Sequence, residues 1–311
     1  MAIPPPQASD FAIRVRGLRK TYGDIEAVAG IDLDVARGEV FALLGPNGAG
    51  KTTTVEILEG YRERSAGDVH VLGHDPARNE RALKERIGIV LQSTGVERYL
   101  TVNETLDLYR GYFPDPLETA DVLDVVGLSE QRGVRVRRLS GGQQRRLDVA
   151  VGLIGDPELL FLDEPTTGFD PSARRQAWEM IRTLRSLGKT VFLTTHYMDE
   201  AEHLADRVAI IAGGRIIAEG APQALVGERA TATIRFRLPS GSPVLPEGLA
   251  PAEATDGWVR IEAAAPTQML FVLTRWATER GIELAELTVV RPSLEDVYLR
   301  LTGEAEREGS P

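Results

Sequence analysis

The stretch GPNGAGKT, Gly45 to Thr52, places a lysine and a hydroxyl directly after a glycine-rich turn. It satisfies the pattern G-x-x-x-x-G-K-[ST] at every fixed position, and the chemistry of that pattern is phosphate binding. Gly48 and Gly50 let backbone N–H groups close around phosphate oxygens, Lys51 brings a positive charge to the β- and γ-phosphates, and Thr52 offers a hydroxyl to Mg²⁺. Gly45, Asn47, Gly48, Ala49, Gly50, Lys51, Thr52 and Thr53 are the candidate nucleotide contacts, with Thr52 also a candidate metal ligand.

A second anion cradle lies far downstream. In LSGGQQRR, Leu139 to Arg146, a serine and two glycines open a helix, and a helix start turns unpaired N–H groups and a positive dipole end outward. Two cradles in a chain with one evident nucleotide site require an explanation. Further on, LLFLDE ends an apolar run with Asp163 and Glu164, and carboxylates in such a place need partners. Asp163 suits Mg²⁺, reached through water, and Glu164 suits orienting or deprotonating an attacking water; a helix-capping pair is the bland alternative. His196 follows VFLTT, where a strand becomes a loop. Reacting groups commonly stand there in α/β sheets, yet a lone histidine is equally a structural residue. Gln92, after IGIVL, is open in the same way.

The elements that must position these residues can be read from apolar patterning. VFALL (Val40 to Leu44), ELLFL (Glu158 to Leu162) and VFLTT (Val191 to Thr195) are continuous apolar runs, as expected of strands covered on both faces and joined by crossover helices. The first forty residues alternate apolar and charged positions, which predicts a separate antiparallel sheet. Thr101 to about Leu153 reads as an inserted helical segment, opened by the capping box TVNE with Thr101 as cap and Glu104 reaching back. VAIIAGGRIIAEG predicts a hairpin about Gly213-Gly214. After it the composition changes: TIRFRL and WVRIEA read as strands, and Met269, Val272, Leu273 and Trp276 recur at helical spacing as a core stripe.

Composition excludes several classes. The 311 residues are 42% hydrophobic and 26% charged, enough for one large domain and a small one. There is no cysteine, so disulfides and thiolate metal sites are impossible and a reducing, cytoplasmic compartment is expected. The start MAIPPPQASDF does not read as a signal peptide, and no run reaches the ~18 apolar residues of a membrane span. A net charge of -10 argues against general nucleic-acid binding. The local cluster of Arg132, Arg135, Arg137, Arg138, Arg145 and Arg146 reads as a solvated loop and helix face.

The order of the motifs resembles the ATP-binding subunit of an ABC transporter over about residues 11 to 220. The fold this implies is α/β: an ABC-type nucleotide-binding domain with a P-loop core sheet, an antiparallel β subdomain and an inserted helical subdomain, then a small α+β C-terminal domain. The expected boundaries are 11–225 and 230–303. Carried over residue by residue, the resemblance makes Tyr22 in KTYG the aromatic that stacks on adenine, and Gln92 the glutamine-loop residue, catalytic and a metal ligand. Asp163 becomes a metal ligand, Glu164 the base and His196 the switch histidine, and Gly168 to Asp170 form the D-loop, with Phe169 where leucine is commoner. It also accounts for the second cradle. In the family Ser140, Gly141, Gly142 and Gln143 would contact ATP held by the phosphate loop of a second subunit, so ATP and Mg²⁺ act at an interface between two subunits, a homodimer by expectation.

The resemblance further implies transmembrane permease subunits as separate chains, a peripheral location on the cytoplasmic face of the membrane, and no nucleic-acid partner. The segment from Ser93 to Phe113, with Tyr99, Leu100, Leu106, Leu108, Tyr109 and Tyr112, is where the family places its permease contact. RPSLEDVYLRLTG, Arg291 to Gly303, resembles the ending of ATPases from bacterial drug and antibiotic exporters of the daunorubicin-resistance kind, which implies export of an amphipathic compound. The alternatives are a soluble ABC ATPase of translation or DNA repair, and a nucleotide-binding module without turnover.

Overall fold

A computed structural model describes residues 10–91, 95–227, 231–239, 242–243, 245–246, 249, 253–255, 257–290, 293–299 and 301. The alternation in the first forty residues is realised as β1 (Phe11–Tyr22) paired antiparallel with β2 (Ile25–Ala36), and β4 (Ala66–Val71) pairs along the other edge of β1. Ile13, Val15 and Leu18 point to the core while Arg16 stays outside, bonded to Asp34 at 2.6 Å.

The apolar runs form the second sheet. Its strands are β3 (Val40–Leu44), β5 (Ile87–Val90), β6 (Leu159–Asp163), β7 (Thr190–Thr195), β8 (Arg207–Ala212) and β9 (Arg215–Gly220), in the order β5-β6-β7-β3-β8-β9. All neighbours are parallel except the β8–β9 hairpin. Register places Phe161, Phe192 and Phe41 in one row across β6, β7 and β3, with ring centres 5.7 and 5.5 Å apart, and all three rings are fully buried. Offset aromatic contacts of this kind add to the burial of large apolar surface, so the three strand ends that follow are held as one unit.

Helices α1 (Lys51–Leu58), α2 (Arg81–Lys84), α6 (Pro171–Ser186) and α7 (Met198–Leu204) connect the strands, while α3 (Val102–Arg110), α4 (Thr119–Val125) and α5 (Gly141–Leu153) make up the helical segment. The box at the start of α3 is closed: Thr101 Oγ1 accepts from the Glu104 N–H, and the Thr101 N–H donates to Glu104 Oε2 at 2.8 Å.

The chain divides into two compact units, residues 1–222 and 223–311, with α8 (Pro222–Val226) at the division. The second unit has strands β10 (Ala232–Arg237), β11 (Glu253–Thr255), β12 (Trp258–Ala263) and β13 (Ala285–Val290), in the order β11-β12-β10-β13, and α9 (Pro266–Glu279). Ile234, Phe236, Val259 and Ile261 share a core with Leu273 and Trp276 of α9, and Met269 packs against it. Val272 corrects the expected stripe: it is 38% exposed, because Leu273 and Trp276 already define the inward face and its own position is turned about 100° from Leu273.

Candidate functional site

The site gathers at the C-terminal ends of the parallel strands, where open α/β sheets place their ligands. The phosphate loop leaves β3 at Leu44, which is in register with Thr195, and Asp163 at the end of β6 is in register with Thr194. Lys51, Asp163, Glu164 and His196 are thereby brought together from three neighbouring strands. Gln92, one residue beyond Leu91 at the exit of β5, lies outside the described residues.

Backbone sterics shape the loop. Gly50 caps α1 in the left-handed region at φ +105°, and a Cβ there would stand 2.5 Å from the Ala27 carbonyl oxygen. At Gly45 a Cβ would stand 2.4 Å from the Ile211 carbonyl oxygen. Both positions require glycine for close approach of backbone to backbone. Lys51 is buried, and its Nζ donates to the carbonyls of Gly45 and Pro46 at 2.7 and 3.2 Å. Burial holds its pKa below that of an ordinary lysine, against the pull of Glu164 and Asp163. Thr52 is exposed and Thr53 half-buried.

The carboxylates are held by β7. Thr194 Oγ1 donates to Asp163 Oδ1 at 2.5 Å and accepts from the Glu164 N–H at 3.1 Å. Glu164 adopts φ +45°, and its two oxygens are engaged separately. Oε1 is 3.1 Å from His196 Nδ1 and 3.9 Å from Lys51 Nζ, while Oε2 accepts from Thr167 Oγ1 at 3.1 Å. The pair therefore does not cap a helix; Asp170 does that, accepting from Ser172 and Ala173 at the start of α6. A carboxylate set between a lysine and a histidine can orient a water beside a phosphate and take its proton. Asp170 falls within the D-loop that the resemblance marks, whereas Thr194 and Thr167 carry no signal strong enough to single them out in advance; the polar end of VFLTT is the nearest to one.

The second cradle is a capped helix start. Ser140 Oγ accepts from the Gln143 N–H and the Ser140 N–H donates to Gln143 Oε1 at 2.9 Å. Ser140 to Gln143 line a pocket of about 800 Å³ together with Thr167, Gly168, Phe169 and Asp170. Gly141 is exposed and Gly142 half-buried. Of the basic cluster, Arg132, Arg135, Arg137 and Arg138 are exposed as expected, but Arg145 is not: it is only 8% exposed, turned inward from α5. Tyr22 stands at the end of β1, 39% exposed, with Lys20 Nζ 5.0 Å and Arg62 Cζ 5.4 Å from its ring centre.

Residues 28–167 match the family described as ABC transporter, and residues 232–293 match a second, the C-terminal domain of ABC transporter domain-containing protein-like chains. The daunorubicin resistance ATP-binding protein DrrA3 of Streptomyces coeruleorubidus is 39% identical over 96% of this chain and 98% of its own. This chain belongs to the ABC transporter ATP-binding family. The ABC ATPase is also similar to the Nod factor export ATP-binding protein I of Bradyrhizobium diazoefficiens, 40% identical over 95% of this chain and 97% of that one. Among solved structures, cbiO1 of Clostridium perfringens, part of the ABC transporter complex cbiONQ, superposes with a TM-score of 0.63 at 28% identity, covering 70% of this chain and 92% of its own. Like the family, the ABC ATPase binds ATP and hydrolyses it. Among the described residues, no helix is long and apolar enough to cross a membrane.

Proposed function

We propose that this ABC ATPase is the motor subunit of an exporter, working as two copies docked on separate membrane permease subunits at the cytoplasmic face of the membrane. The observation that carries the reading is the separation of the two cradles: the described residues lining the Ser140–Gln143 pocket include Glu164 and Asp170 but none from Gly45 to Thr53. A two-fold axis brings each signature onto the phosphate loop of the other copy and makes two equivalent sites. Hydrolysis removes the γ-phosphate that both cradles hold, and the pair opens.

Within one site Lys51 and the loop amides hold the phosphates, Glu164 orients and deprotonates the water, His196 positions Glu164 and the γ-phosphate, and Gln92 is the glutamine that acts beside the metal. Tyr22 offers a ring face to adenine. Thr52 and Asp163 present a hydroxyl and a carboxylate, the hard oxygen donors that Mg²⁺ takes alongside phosphate oxygens. When bound, Mg²⁺ neutralises charge on the phosphates. Tyr99, Leu108 and Tyr112 are each more than half exposed, which supports a permease contact on the helical segment. The names of the relatives, daunorubicin resistance and Nod factor export, support an amphipathic cargo.

The test is size-exclusion chromatography with light scattering on the Glu164→Gln chain. A shift from monomer to dimer only with Mg-ATP is expected. ATP-loaded protein that stays monomeric, alone and with permease-containing membranes, overturns the paired arrangement.

A further inference from the structure

The side chain of Arg145 joins three segments that the sequence keeps far apart. It leaves α5 two residues after Gln143, and its guanidinium donates only to backbone carbonyls. Nη2 reaches the Asp163 oxygen at 2.6 Å, Nε the Pro165 oxygen at 3.4 Å, and Nη1 the oxygen of Leu91. Asp163 and Pro165 flank Glu164, and Leu91 immediately precedes Gln92. The one side chain therefore fastens the helix that begins at the signature to the carbonyls of Asp163 and Pro165, on either side of Glu164, and to the carbonyl of Leu91, the residue before Gln92.

The chemistry makes this link stiff. A buried guanidinium has five N–H donors in a fixed fork and no means of losing its charge, so it tolerates burial only while its acceptors stay in place. Here the acceptors are carbonyls at or just beyond the ends of β5 and β6, and a shift of α5 of about an ångström lengthens those bonds or drags the strand ends along. Asp148, one turn further along α5 and lining the same pocket, is the carboxylate that acts most on Arg145.

We infer that Arg145 is a positioning residue that couples the two ATP sites of the pair: it transmits the seating of its own signature on the partner's nucleotide to Glu164 and to Leu91, the residue before Gln92, of its own site. This rests on the paired reading above. Residues of the signature act on one nucleotide, while the three carbonyls held by Arg145 belong to the other.

The test uses the full chain with Arg145→Lys, which keeps the charge but not the fork, and Arg145→Gln, which keeps an amide donor without a buried charge. ATP affinity of the monomer is measured alongside steady-state ATPase activity as a function of ATP. For at least one variant the expected result is ATP affinity within about twofold of the parent, kcat lower by about tenfold or more, and a Hill coefficient reduced from above 1 to about 1. A folded variant that keeps kcat and the Hill coefficient overturns the inference. A measurement independent of variant folding is hydrogen exchange on the Glu164→Gln chain, which retains Arg145. On ATP-driven dimerisation, amides of α5 and of residues 161–167 gain protection together; protection confined to the start of α5 overturns the coupling. Absence of any ATP-driven dimer in that chain, both alone and with permease-containing membranes, refutes the paired reading instead, so the two failures are distinguishable.

Discussion

Oε1 of Glu164 and Nδ1 of His196 lie 3.1 Å apart, although 31 residues separate them and they leave different strands. The contact forms because β6 and β7 run parallel in register, Asp163 beside Thr194. It orients the carboxylate toward Lys51 and leaves His196 a third exposed for a phosphate. Glu164→Gln is expected to lower kcat by about 10²–10⁴ while ATP still binds, and His196→Ala to lower it by a similar factor. Single-turnover hydrolysis with a parallel binding isotherm checks both.

Lys51 is expected to matter for affinity before it matters for rate. Its ammonium is buried and satisfied by the Gly45 and Pro46 carbonyls, and a phosphate offers it stronger, charge-assisted partners. Lys51→Ala should weaken ATP binding by at least about tenfold, the order expected for one such bond. Equilibrium dialysis with labelled ATP reads this directly; an unchanged constant contradicts the cradle assignment.

Ser140→Arg separates the two cradles. The residue is exposed and, among the described residues, its hydroxyl accepts only from the Gln143 N–H in the capping box at the start of α5, so losing the cap costs about 1 kcal/mol. Monomer ATP affinity is expected to stay within about twofold, whereas ATP-driven dimerisation in the Glu164→Gln background disappears. Light scattering and a binding isotherm on the same preparation decide it.

Glu59 gives a pH-dependent prediction. It ends α1, is 6% exposed, and burial, with Asp163 and Glu56 adding to it, pushes its carboxyl up to about 8. Folding therefore takes up a proton at this position between the unfolded value near 4.3 and about 8, and stability falls as pH rises through that window, becoming flat above it. Glu59→Gln removes the dependence. Urea unfolding should show the variant gaining on the parent by about 3 kcal/mol between pH 6 and pH 9; a pH-independent difference refutes the raised pKa.

Much of the site was legible because its chemistry depends on short spacings. Gly45 to Thr52, the Thr101–Glu104 box and the hairpin at Gly213-Gly214 each announce themselves within a few residues. The fold class followed from three apolar runs. What escaped depends on distant partners. AGDVHV becomes β4 only through pairing with β1, since Gly67 and Asp68 are poor strand formers. AELTVV becomes β13 by pairing with β10, with most of its own side chains exposed. Arg145 looks in sequence like the exposed Arg137 and Arg138, and only the carbonyls of Leu91, Asp163 and Pro165 make its burial tolerable. The row of Phe161, Phe192 and Phe41 is likewise a product of register, invisible along the chain.

That register also separates evolution of the connections from evolution of the chemistry. Carboxylate, histidine and phosphate loop are aligned by hydrogen bonds between β6, β7 and β3 and by the aromatic row beneath them, while the exposed turn between α6 and β7, at Leu187 and Gly188, lies at the far end of the sheet from them. Residues can be inserted or lost in that turn without moving Glu164 relative to His196. A single residue inserted within β7 itself would turn Thr194 to the opposite face and dismantle the site at once.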